Sequence, residues 1–247
     1  MNLLKFKKNL YSQTGEDGVI DKILCLWKEH NVPMSNWCVE FGAWDGVFCS
    51  NTFNLIKNEN WDGVLIEPCE RRFKDLMRSS KNNPSMIPIN AFVEMDEDHA
   101  NSLDNLLSQT TIPFDFDILS IDIDSYDVQV WRSLKKYYPK LVIIEINNAL
   151  DPLILVEGTV NNLGSSFAFA VKVAREKGYS LLCDTGNLFF IQDHLLPIFN
   201  LDDKFLKNPE LLFDTSWLGK KANIFQRLAD LAPSKIYMIY LRYFKRF

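Results

Sequence analysis

The chain has 247 residues, 47% of them apolar, which is enough for one sizeable core with appendages. Its net charge of −5 excludes a general nucleic-acid binder, which would carry a basic stripe. Five scattered cysteines with no Cys-x-x-Cys pair exclude a disulfide framework and fit buried thiols in a reducing compartment.

Apolar periodicity predicts a first helix over residues 15–29, with Val19, Ile20, Ile23, Leu24 and Trp27 on one face and Thr14 as its cap. Residues 37–41 read as a short buried strand. Ser50-Asn51-Thr52 then offers a cap to a helix carrying Phe53, Leu55 and Ile56. A second strand at 64–67 precedes a charged helix near 70–79, and a third strand spans 86–93. Leu103, Leu106 and Leu107 mark a short helical piece. Strand four is expected at 116–121, a helix at 128–137 and strand five at 141–146. Strands alternating with helices imply a parallel sheet with right-handed crossovers.

Two further strand-like runs, 179–183 and 188–192, are separated only by Asp184-Thr185-Gly186-Asn187. Four turn residues cannot make a parallel crossover, so this pair must be an antiparallel hairpin. Beyond residue 193 the pattern is helical, with Ile224, Phe225, Leu228 and Leu231 on one face. Residues 1–193 are accordingly expected to form the α/β domain and 194–247 a helical appendage. The final stretch, 235–247, mixes Lys235, Arg242, Lys245 and Arg246 with five aromatic residues and no acid. It suits either peripheral contact with a membrane or partner, or a last helix packed on the domain. No apolar run is long enough to span a bilayer. The start lacks a long apolar core, so the chain is expected to be soluble and cytoplasmic.

The chemistry concentrates at strand ends. Strand one runs through Glu40 into Gly42-Ala43-Trp44-Asp45-Gly46, a glycine-rich turn that brings bare backbone close to a ligand. Strand two ends in Glu67, placed to hold the two hydroxyls of a ribose. The dinucleotide pattern G-x-G-x-x-G is missing, and Glu40 and Asp45 would repel a pyrophosphate. A ligand carrying positive charge fits better.

Val39-Glu40-Phe41-Gly42-Ala43-Trp44-Asp45-Gly46, Leu65-Ile66-Glu67-Pro68 and Ile118-Leu119-Ser120-Ile121-Asp122-Ile123-Asp124 together resemble the class I S-adenosylmethionine-dependent methyltransferases. Tyr11-Ser12-Gln13-Thr14-Gly15-Glu16-Asp17 is similar to a segment found in the FkbM-type group of that family. The resemblance runs from about residue 11 to residue 147. It implies a Rossmann-like, seven-stranded, mostly parallel sheet with an antiparallel C-terminal hairpin and helices on both faces. It also implies S-adenosylmethionine as cofactor, with contacts from Gln13, Glu16, Glu40, Gly42, Ala43, Trp44, Asp45, Gly46, Asn51 and Thr52. Further contacts would come from Glu67, from Pro68 and Asn90-Ala91-Phe92 around the adenine, and from Asp122.

The second constellation is Asp122-Ile123-Asp124-Ser125-Tyr126-Asp127 after strand four, facing Glu145-Ile146-Asn147-Asn148 after strand five. Asp127 reads as a helix-capping acid. Asp122, Asp124 and Glu145 are the catalytic candidates, with Asp122 or Asp124 as the base that a sugar hydroxyl requires. Asp124, Glu145 and Asn147 are an oxygen set able to hold Mg²⁺ or Mn²⁺, as in some similar sugar O-methyltransferases. The alternative is an acidic crevice that hydrogen-bonds polar substrate. His30 reads as solvent-exposed at a helix end, and His99 and His194 as structural, although each could reach the crevice. The residues from 147 to 165 read as a long loop, with Asn147, Asn148, Asn161 and Asn162 offering amides to sugar hydroxyls.

The expected activity is O-methyl transfer to a sugar or sugar-linked hydroxyl of a carbohydrate acceptor. Two other classes remain open: a glycosyltransferase using Asp122-x-Asp124 for a nucleotide sugar, and a non-catalytic module that keeps the cofactor fold.

Overall fold

The structure, a computed structural model, describes residues 1–123, 125–159 and 164–215. The chain divides into two compact units, Met1–Phe213 and Asp214–Phe247, and every element named below belongs to the first. Asp124, Asn161, Asn162 and the expected helix and tail beyond residue 224 lie outside the described residues.

The first helix, α1 (Glu16–Glu29), buries Val19, Ile20, Ile23, Leu24 and Trp27 as the periodicity requires. Its N-cap is Gly15 at φ 106°, not Thr14. Thr14 is drawn elsewhere: its amide and its hydroxyl both donate to the Glu16 carboxylate. Strand β1 (Trp37–Phe41) leads to α2 (Phe53–Asn58), whose first turn is held by Ser50 Oγ, which accepts from the amides of Thr52 and Phe53. Strand β2 (Asp62–Ile66) precedes α3 (Glu70–Asn82).

Strand β3 (Met86–Ile89) is shorter than expected. Pro88 lies within it, which an edge strand tolerates because the missing N–H faces away from the sheet. Helix α4 (Leu103–Leu107) is capped by Ser102. Strand β4 (Ile118–Ile121), α5 (Asp127–Ser133) and β5 (Leu141–Glu145) follow in order. Helix α6 (Phe167–Glu176) returns the chain to the hairpin β6 (Tyr179–Asp184) and β7 (Asn187–Gln192). The hairpin is antiparallel, as its short turn demands. Pairing continues through Asp184 and Leu188, which leaves Thr185-Gly186-Asn187 at the tip, with Gly186 at φ 124°. Short helical turns at 193–199 and 209–212 flank α7 (Asp203–Lys207).

The seven strands form one sheet in the order β3-β2-β1-β4-β5-β7-β6. All neighbours are parallel except β7, which runs antiparallel to β5 and β6. This is the α/β architecture the motifs implied. Alternate strand residues feed two cores. Val39, Phe41, Leu119, Ile121, Val142 and Ile144 face α4, α5 and α6, while Cys38, Leu65, Ile118, Leu141 and Ile143 face α1, α2 and α3. The chain works outward from β1 to β3, then crosses back to β4 on the other side of β1. That reversal opens a crevice at the carboxyl ends of β1 and β4, where ligands bind in sheets of this kind.

Candidate cofactor crevice

The turn after β1 is built from left-handed residues. Gly42, Trp44, Gly46 and Cys49 have φ of 81°, 48°, 73° and 60°. For Trp44 and Cys49 such values are uncommon and mark a backbone held by its surroundings. Gly42 has no alternative. A Cβ there would stand 1.7 Å from the carbonyl oxygen of Asp122, so β1 and β4 approach backbone to backbone at the crevice floor. Asp45 Oδ1 accepts from the amides of Val47 and Phe48 and folds the next turn.

Glu40 is buried at the end of β1. Its carboxylate accepts from Ser50 Oγ at 2.5 Å, Thr52 Oγ1 at 2.6 Å and Asn51 N at 3.0 Å. Burial raises its pKa; the three donors oppose that shift, and nearby Asp122 adds to it. Glu40, Asn51 and Thr52 are therefore one hydrogen-bonded group. Asn51 Nδ2 extends it to Ser120 Oγ on β4 at 3.1 Å.

Glu67 caps β2 at 2% exposure. Its two oxygens accept from Trp44 N at 3.0 Å and Cys69 N at 2.7 Å. A carboxylate has about four acceptor sites, so capacity remains on both oxygens. Asn90 donates to the carbonyls of Glu67 and Pro68, which fixes the end of β3 against the end of β2. Ala91 packs on the core, Phe92 is exposed, and Arg72 lies 5.0 Å over the Trp44 ring.

Asp122 is exposed at the end of β4. The loop behind it is tied down by Asp127, which is 1% exposed and accepts from Ile123 N at 2.8 Å and Ser125 N at 2.9 Å. Burial pushes the Asp127 carboxyl up to about 7, against the pull of its backbone donors. Asp127 opens α5 as expected, but its side chain serves the preceding loop.

The other expected contacts also hold bonds within the protein. Gln13 is exposed and hydrogen-bonds Cys49. Glu16 is fully buried, taking donors from Thr14, Thr185 Oγ1 at 2.9 Å and Asn187 Nδ2 at 3.2 Å. It joins the start of α1 to the hairpin turn. Asn187 in turn pairs with Glu145 across β5 and β7. Asn147 Oδ1 accepts from Ala149 N, and Asn148 Nδ2 donates to Gly186 O at 3.0 Å. Among the described residues no three His, Cys, Asp or Glu side chains are grouped to hold a metal ion. His99 and His194 are exposed.

Three contributors escaped the sequence reading. Ser120 and Arg72 carry no local signal, since their partners come from other elements. Asp17 gathers the amides of Leu10, Tyr11 and Ser12 on Oδ2 and so shapes the segment before α1. An acid in the first helical turn, following polar residues, is the signal that could have found it.

No protein-family model and no curated protein matches the chain. Solved structures do resemble it. One is a SAM-dependent methyltransferase from Aquifex aeolicus, with TM-score 0.42 and 10% identity, covering 70% of this chain and 88% of that one. An O-methyltransferase family protein from Burkholderia thailandensis has TM-score 0.42 and 9% identity over 72% of this chain and 58% of its own. The CMeT domain of a citrinin polyketide synthase has TM-score 0.46 and 11% identity over 74% and 55%. The chain thus spans little more than half of the last two. At these identities none of the likenesses assigns a role to a residue of this chain.

Proposed function

We propose that the chain is an S-adenosylmethionine-dependent O-methyltransferase of FkbM type acting on a sugar or sugar-linked hydroxyl. The observation that supports the reading is that Gly42 lets the ends of β1 and β4 touch at the switch point, with Asp122 exposed beside them and Glu67 tied to the same turn through Trp44 N. Carboxylates there fit the cofactor: they accept from its ammonium and ribose hydroxyls and would repel a pyrophosphate. Bound there, the cofactor supplies a methyl group on a positively charged sulfur.

The chain's own residues do the rest. Glu67, kept in place by two amides, would take the ribose hydroxyls. Pro68, Asn90, Ala91 and Phe92, held together by the Asn90 bonds, would shape the adenine slot. Asp45 and the turn around Gly42 and Gly46 would face the amino-acid end. Asp122, exposed at the crevice, would orient the acceptor hydroxyl and take its proton. Were a divalent ion held by Asp124, Glu145 and Asn147, it would lower the pKa of the acceptor hydroxyl beside that base.

Calorimetry with S-adenosylhomocysteine tests it directly. Binding is expected for the native chain, and Glu67→Gln should weaken it ten- to a hundredfold through loss of a charge-assisted contact. Unchanged affinity in that variant would refute the site. Binding of a nucleoside diphosphate instead would refute the cofactor and favour a glycosyltransferase.

A further inference from the structure

Helix α3 carries more excess positive charge than any other described element. It holds Arg71, Arg72, Lys74, Arg78 and Lys81 against Glu70 and Asp75, in a chain whose overall charge is −5. All five cations are exposed. Four of them, Arg71, Lys74, Arg78 and Lys81, recur at helical spacing and so form one row about 15 Å long. Leu76 is fully buried and Phe73 packs on the same core, which turns the row outward. Arg72 leaves the row and lies over Trp44.

The row is short of partners. Among the described residues only Arg78 of the four has an ion pair, with Asp75 on the same helix. The acidic run at 94–98 follows β3 but turns to the other side of the sheet. Val93 packs there with α4 and α5, and Glu97 approaches Lys135 at 3.9 Å. The helix itself packs on β3, the edge strand, which leaves its outer face at the margin of the domain.

Local charge decides what docks on such a face. At physiological salt, exposed charges more than about 8 Å apart are largely screened, so the row outweighs the net charge of the chain. Four cations on flexible stems along a straight helix match an extended, flat anion. Met77, 40% exposed and a helical neighbour of Lys74 and Lys81, adds an apolar contact at the flank. The other basic stretch of the chain, 235–247, mixes its cations with five aromatic residues and no acid. That composition belongs to interfacial anchors and not to nucleic-acid stripes.

We propose that the outer face of α3 docks the protein on an anionic membrane surface, with Arg71, Lys74, Arg78 and Lys81 against the lipid head groups. Glu67 lies just before α3, so docking holds that end of the crevice beside the bilayer. The surface does not depend on what the crevice binds.

The test is co-sedimentation of the full chain with phosphatidylcholine vesicles, with and without about 30% phosphatidylserine. Partition onto the anionic vesicles is expected to be at least about tenfold higher, and to be lost at about 0.5 M salt. Arg71→Gln, Lys74→Gln and Lys81→Gln together should remove that preference. The urea midpoint should hold in this variant, because all three side chains are exposed and without an ion pair among the described residues. Lys28→Gln, Lys136→Gln and Lys207→Gln together change the net charge equally at exposed positions away from α3, and should keep the preference. Full preference in the α3 variant would overturn the proposal, as would its equal loss in the control. Equal partition onto both kinds of vesicle would do the same. Binding of a duplex oligonucleotide in place of vesicles, with the same dependence on α3, would replace the membrane with a nucleic acid.

Discussion

Gly42→Ala puts the architecture of the crevice to a quantitative test. Two costs separate cleanly, because the structure supplies a control. Gly178 also has a left-handed φ, 77°, but a Cβ there meets nothing within 4 Å. Gly178→Ala should therefore show only the backbone penalty, about 1–2 kcal/mol. At Gly42 the same penalty applies at φ 81°, and the new methyl also lands 1.7 Å from Asp122 O and 2.7 Å from its carbonyl carbon. Both contacts are backbone, so no rotamer relieves them. The ends of β1 and β4 must part, at about 1–3 kcal/mol more by analogy with overpacked cores. Urea denaturation should place Gly42→Ala roughly 2–5 kcal/mol below the native chain and clearly below Gly178→Ala. S-adenosylhomocysteine affinity should fall in Gly42→Ala and hold in Gly178→Ala. Equal stabilities and equal affinities for the two variants would refute the close approach of β1 and β4.

Other outcomes follow from single residues. Asp127 has a folded pKa of about 7 against 3.8 when free, so between those values the native state holds a proton that the unfolded chain has released. Stability should accordingly fall as pH rises from about 4 to 7 and level off above, with a slope of up to about 1.4 kcal/mol per pH unit from this group. Urea midpoints measured across that range should show the decline in the native chain and a flatter profile in Asp127→Asn; an unchanged slope would remove the group. Asp122→Asn should lower turnover by about two to four decades, as for a lost general base. Full activity with an identified acceptor would move the base to another residue. Turnover that EDTA abolishes and Mg²⁺ restores would bring a metal into the site, with Asp124, Glu145 and Asn147 as its first candidates.

The elements and their order were legible in the chain itself. Apolar periodicity marked α1, and short apolar runs ending in acids marked β1 and β2. The four residues Asp184–Asn187 left no option but an antiparallel hairpin. These are local properties: a helix face, a pleat and a tight turn depend on residues within a few positions of one another. The same locality explains where sequence reading stopped. Thr14 has the chemistry of a helix cap, yet its donors go to Glu16, and the cap falls to Gly15. Glu16 was legible as an acid at the start of α1, but nothing local showed that Thr185 and Asn187 would come from the far end of the domain to donate to it. Asp127 was recognisable as a first-turn acid, but not as the anchor of the loop behind Asp122. The placement of β7 beside β5, with β6 outermost, was equally out of reach, because the hairpin turn fixes only which two strands pair with each other. Left-handed Trp44 and Cys49 carried no signal, since nothing about either residue type favours that conformation. Periodicity and turn chemistry thus set the elements, whereas buried carboxylates took whatever donors the folded sheet brought within reach, because burial leaves an unpaired charge too costly to persist.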